Sequence, residues 1–152
     1  MSEPAHVSPD ELADLVEAVL SVARRVTVLG NRDPDAVVLN PLEALLMRQI
    51  DQTPGATPSQ LAAHLDLKSS NTSTALRDLE SRGFIRRRVD PTDGRSVRIY
   101  PTPAAQENRT LKRASWARVV APVIHDRRAL ATGVALLSQL DRDLDSTGQE
   151  QR

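Results

Sequence analysis

Six consecutive residues, Ser69-Ser70-Asn71-Thr72-Ser73-Thr74, carry hydroxyl or amide side chains, and Arg77 follows within one helical turn. Side chains this small let a helix sit deep in a groove. Their oxygens and amides can donate to or accept from base edges and phosphates, and a guanidinium can pair with guanine through two hydrogen bonds. A second group lies just beyond. Arg86, Arg87, Arg88 and Arg98 flank the run Asp90-Pro91-Thr92-Asp93-Gly94-Arg95, in which proline and glycine mark a turn. The chemistry available is non-covalent recognition of a polyanion. An arginine at the tip of such a turn suits a narrow, electronegative minor groove, and Asp93 is placed to hold the Arg95 guanidinium in a fork. Arg86, Arg88 and Arg98 are expected at phosphates. Alternate strand positions face opposite ways, so at least one of the three consecutive arginines belongs to an internal ion pair or to solvent.

Other chemistry is poorly provided for. The six glycines form no phosphate-binding pattern, and no serine sits in a nucleophile elbow. His6, His64 and His125 lack companions at metal-ligand spacing, so no metal site and no cofactor are expected. Cysteine is absent, which excludes disulfides and thiol redox sensing. No apolar run approaches the roughly 20 residues of a membrane span. Met1 to Asp10 is polar and acidic, without the apolar core of a signal peptide, so the cytoplasm is the expected location. An enzyme is not expected.

The chain of 152 residues has a net charge of zero, but the charge is unevenly spread. Asp66 to Arg118 holds twelve Lys/Arg against six Asp/Glu, a net of +6. Met1 to Leu65 has four against nine, net −5, and Val119 to Arg152 four against five, net −1. A basic middle between acidic ends is the footprint of a local polyanion-binding face.

The elements that must position these residues are legible from caps and periodicity. Ser8-Pro9-Asp10-Glu11 is a capping box with proline at the first helical position. The first helix then runs to about Leu29, with Leu12, Leu15, Val16 and Val19 on one face. Asn40-Pro41-Leu42-Glu43 opens a second helix to about Gln52, and Thr57-Pro58-Ser59-Gln60 opens a short third. Ser69 or Ser70 is expected to cap a fourth helix that ends at Gly83. In it Thr72, Ala75, Leu76 and Leu79 fall at i, i+3, i+4 and i+7 and face a core, leaving Ser70, Thr74, Arg77 and Ser81 outward, flanked by Asn71 and Ser73. The hairpin follows. Thr102-Pro103 opens a fifth helix to about Ala121, where Pro122 breaks it. A last helix presents Leu130, Val134 and Leu137, and the tail from Ser146 is expected to fray. The order predicts a mainly α fold with a small β-hairpin wing. In this reading, residues 1–39 form an N-terminal dimerisation helix and loop, 40–102 a winged helix-turn-helix, and 103–152 C-terminal dimerisation helices. The apolar faces of the first and last helices have no partner inside a winged helix, so they are expected to meet across a two-fold axis.

The run Leu61-Ala62, Leu65, Ala75-Leu76-Arg77-Asp78-Leu79-Glu80-Ser81-Arg82-Gly83-Phe84-Ile85-Arg86-Arg87 and the wing Asp90-Pro91-Thr92-Asp93-Gly94-Arg95, Val97, Ile99 resemble the MarR family of bacterial transcription regulators. Asp93 and Arg95 match the Asp-x-Arg at the tip of that family's wing. The resemblance spans about Leu42 to Glu107 by motif. It implies a homodimer with two winged-helix lobes on a pseudo-palindromic DNA operator, most often as a repressor. It also implies release when a small, often phenolic, molecule enters a cleft between the dimerisation and DNA-binding parts. Three departures stand out. Gly94 replaces a residue that is often basic. Tyr100-Pro101-Thr102 replaces the usual strand end, so the return strand is expected to stop early. With one Phe, one Tyr and one Trp, an aromatic-lined pocket would be thin. The alternative is a winged helix used for protein–protein contact, which would not need the polar helix face or the basic wing.

Overall fold

The computed structural model describes residues 7–90, 93–94 and 96–150. The elements are α1 (Pro9–Gly30), α2 (Pro41–Gln52), α3 (Pro58–His64), α4 (Ser69–Ser81), β1 (Ile85–Val89), β2 (Val97–Pro101), α5 (Pro103–Val120) and α6 (Arg127–Glu150). This is a winged helix-turn-helix with a helix before it and two after, as the caps and periodicity predict. The chain divides into two compact units: Thr27–Ser115, which holds the winged helix, and the residues up to Val26 together with those from Trp116. None of the described helices is long and apolar enough to cross a membrane.

The core of the winged-helix unit is small and apolar. Leu46 and Ile50 of α2, Leu61 of α3, Leu76 and Leu79 of α4 and Ile99 of β2 are fully buried, each contributing roughly 1.5–3 kcal/mol by leaving water. The α4 residues that reach this core are Thr72, Ala75, Leu76 and Leu79, at the predicted spacing.

Caps fix where α2 and α3 begin. The Asn40 side chain accepts the Glu43 N–H at 2.9 Å while Glu43 accepts the Asn40 N–H at 2.8 Å. Thr57 and Gln60 repeat this reciprocal pair at α3. At α1, the Ser8 N–H and hydroxyl both donate to Glu11, and these bonds hold its carboxyl below the ordinary carboxylate range.

Three local expectations need correction. Neither Ser69 nor Ser70 caps α4: Lys68 occupies the N-cap with no side-chain hydrogen bond. Asp66, at φ 52°, turns the chain early enough that Ser69 is already helical. Pro101 does not shorten the return strand. It is the last residue of β2, opposite Ile85, and the next N–H, that of Thr102, donates to Phe84 O at 3.0 Å. The α6 backbone stays helical past Ser146, to Glu150.

Glu43 also does long-range work. Although only 4% exposed, it takes the Arg82 Nη1 donor at 3.0 and 2.9 Å. Arg82 Nη2 donates to Val38 O at 3.0 Å, and the guanidinium lies 5.3 Å from the Phe84 ring centre. Replacing Glu43 with Ala leaves the Asn40 side-chain cap but removes the acceptor of the Asn40 N–H and the ion pair. We expect a loss of about 2–3 kcal/mol, read as a lower urea midpoint at unchanged slope, with Glu43→Gln, which can still cap, losing less.

Candidate nucleic-acid interface

The outward face of α4 is built by subtraction. Once Thr72, Ala75, Leu76 and Leu79 are committed to the core, Ser69, Ser70, Asn71, Ser73, Thr74 and Arg77 are all left exposed. Thr72 turns inward, its hydroxyl donating to Lys68 O at 3.2 Å. Arg77 is held along the helix: Nε donates to Ser73 O at 3.4 Å and Nη2 to Thr74 Oγ1 at 3.2 Å. The guanidinium is thereby presented beside the hydroxyl run in one orientation. An open cleft of about 220 Å³ borders this face, lined by Asn40, Leu42, Asn71, Thr74, Ala75 and Asp78, with no aromatic side chain among them.

The hairpin pairs Arg86 with Tyr100, Arg87 with Ile99, Arg88 with Arg98 and Val89 with Val97. Arg86 and Arg88 therefore share one face and Arg87 takes the other. Arg87 is the internal ion pair among the three consecutive arginines: its Nε meets Glu80 of α4 at 2.8 Å. Arg88 lies over the Tyr100 ring at 5.7 Å, and Arg86 is exposed. Asp93 is exposed, and its carbonyl accepts the Ser96 N–H at 2.9 Å. Arg95, with Pro91 and Thr92, lies outside the described residues.

Arg98 differs most from expectation. Its guanidinium is engaged within the protein, with Nε and Nη2 each 2.7 Å from Asp90 Oδ2 and Nη1 3.1 Å from Gly55 O. Asp90 was read only as part of the turn. The hairpin register held the signal, because Arg88 opposite Arg98 puts Asp90 two positions from the cross-strand neighbour. Gly55 explains the other half. At φ 89° it occupies left-handed space, and a Cβ there would stand 3.0 Å from the Tyr100 hydroxyl. Its N–H donates to Ile99 O at 2.8 Å while Ile99 N–H donates to Ala56 O at 3.0 Å, which stitches the wing to the turn after α2.

The MarR family model matches residues 39–97, the segment that supplies α2 to the start of β2. Over that segment the chain is similar to the MarR family. Solved structures extend the likeness to most of its length. A Pseudomonas aeruginosa PA01 protein described as a candidate transcriptional regulator superposes at TM-score 0.72 with 28% identity, covering 89% of this chain and 98% of its own. The MarR family transcription regulator SP03579 gives 0.63 and 25%, covering 93% and 95%. Streptococcus pneumoniae FabT, solved in complex with DNA, gives 0.62 and 23%, covering 88% and 99%. No curated protein matches the chain.

Thr74 and Arg77 form one hydrogen-bonded unit, so their effects on DNA binding should not add. We expect Arg77→Ala to relax preference among duplex sequences. Thr74→Ala should do so more weakly, and the double variant should match Arg77→Ala. Competition binding across a panel of duplexes checks this; additive, sequence-independent losses would remove the pair from readout.

Proposed function

We propose that the protein is a sequence-specific DNA-binding transcription regulator that acts as a homodimer, in the repressor manner of its family, on a pseudo-palindromic operator. The observation that carries this reading is the exposed α4 face, on which five hydroxyl or amide residues and a tethered guanidinium face outward while the opposite side is locked into the core. In this reading Ser69, Ser70, Asn71, Ser73, Thr74 and Arg77 enter the major groove. Arg86 and Arg88 meet phosphates, and Arg95 with Asp93 serves the minor groove, the last assignment resting on sequence and family likeness alone. The FabT–DNA complex, a protein of the same fold, supports it. Release by a small molecule is an implication of the family, and titrating phenolic compounds into a protein–DNA complex tests it.

Dimerisation is supported by what the helices leave uncovered. In α1, Leu12, Val16 and Val19 are exposed and Leu15 is partly so; in α6, Leu130, Val134 and Leu137 are exposed. Among the described residues α6 buries no side chain, and Gly30 is the one buried residue of α1. Long amphipathic helices get most of their stability by burying an apolar face, and apolar stripes left open mark an interface. A two-fold pair would set two recognition helices roughly 34 Å apart, one turn of duplex.

Selection from a random duplex pool tests the function. The expected product is a two-fold symmetric sequence bound with a steep salt dependence; recovery of no preferred sequence would overturn it. For the interface, Leu15→Glu with Leu137→Glu should give monomers in light scattering and lose binding to the symmetric duplex, and a monomeric wild type at micromolar concentration would refute the dimer.

A further inference from the structure

The root of the wing is closed by one buried carboxylate. Asp90, the residue after β1, is 6% exposed, and its Oδ2 takes both Nε and Nη2 of Arg98. The third Arg98 nitrogen reaches across to Gly55 O in the turn after α2. Immediately beyond, Asp90 N–H donates to Ser96 O and Ser96 N–H donates to Asp93 O, both at 2.9 Å. The guanidinium therefore ties both hairpin strands and the helix-turn-helix at the point where the wing loop leaves the body. It also faces Arg88 across the hairpin. Two like charges directly opposite repel, and Asp90 offsets one of them.

We propose that Arg98 and Asp90 form a lock that sets the position of the wing, so that Arg98 supports DNA binding as a positioning residue and not as a phosphate contact. This rests on the DNA-binding reading above. The fork geometry matters as much as the charge. A guanidinium can meet one carboxylate oxygen through two nitrogens and still extend a third to a carbonyl, whereas a lysine ammonium cannot span both acceptors.

The two roles predict opposite signs. Asp90→Asn removes a negative charge beside a basic hairpin, so simple attraction to the polyanion would tighten binding. The lock predicts weaker binding, by roughly tenfold, the scale of one charged hydrogen-bond pair. Arg98→Lys keeps the charge and should bind as poorly as Arg98→Ala. The double variant Asp90→Asn/Arg98→Ala should be no weaker than Arg98→Ala alone. The probe is the duplex that the wild type selects from a random pool. Tighter binding by Asp90→Asn, or near wild-type binding by Arg98→Lys, overturns the positioning role.

Amide hydrogen exchange without DNA tests the lock separately. Asp90→Asn should speed exchange at Asp90 and Ser96 while the α2 and α4 amides keep their protection, which also shows that the variant is folded. Unchanged exchange at the wing root overturns the lock whether or not DNA binds. A wild type that selects no duplex while the exchange result holds overturns the DNA reading and leaves the lock standing.

Discussion

The carboxylate of Glu43 is the constraint on which the winged-helix unit depends. It begins as a local device, closing the capping box at the start of α2. Because it is buried, it cannot be left without a cation, and Arg82 at the C-cap of α4 supplies one. A buried carboxylate with one partner removed is costly, so the start of α2 and the end of α4 are held in one relation. Phe84 and β1 follow within a few residues, and the direction in which the wing departs is inherited from that junction. Asn108 of α5 joins the same region, accepting from the Val37 N–H at 2.8 Å and donating to Val37 O at 3.2 Å. Val38, next in the chain, accepts from Arg82. The short segment before α2 is thus gripped from two sides by side chains that leave its backbone groups satisfied.

How much of this was legible in the sequence follows from the range of each interaction. The boxes at Ser8–Glu11, Asn40–Glu43 and Thr57–Gln60 span three residues and could be read directly. The α4 core face follows from the repeat of a helix. Arg82 with Glu43 and Arg98 with Gly55 are pairs 39 and 43 residues apart, and no local pattern announces them. Alternation in the hairpin set at least one of the three arginines apart, in an internal ion pair or in solvent, but named no partner for it. Glu80, on the last turn of α4, is what selects Arg87. The start of α4 misled for a related reason. Serine is a good cap, but the turn at Asp66 had already set the helix one residue earlier, and cap chemistry yielded to backbone geometry.

The charge asymmetry gains meaning from the elements that bear it. The basic excess falls on the hairpin and α5, yet a good part of the positive charge is matched within the fold: Arg82 by Glu43, Arg87 by Glu80, Arg98 by Asp90 and Arg109 by Asp51. Counting basic residues therefore overstates the field available to a partner. Among the described residues of α4 and the hairpin, what remains presented is a smaller set, Arg77, Arg86 and Arg88, placed by a helix face and a strand face. Such an arrangement favours orientation over raw attraction.

The scarcity of aromatic residues has a practical side. Tyr100 belongs to the winged-helix unit, where its ring lies beside Gly55 and under the Arg88 guanidinium. Trp116, 44% exposed on α5, falls in the other unit. As the sole tyrosine and the sole tryptophan of the chain, they give each unit its own intrinsic chromophore. Emission excited selectively from the indole monitors the helical unit, and near-ultraviolet signals from the phenol monitor the winged helix. Whether the two units melt together or in turn can thus be followed in the unlabelled protein, with no engineered probe to disturb either one.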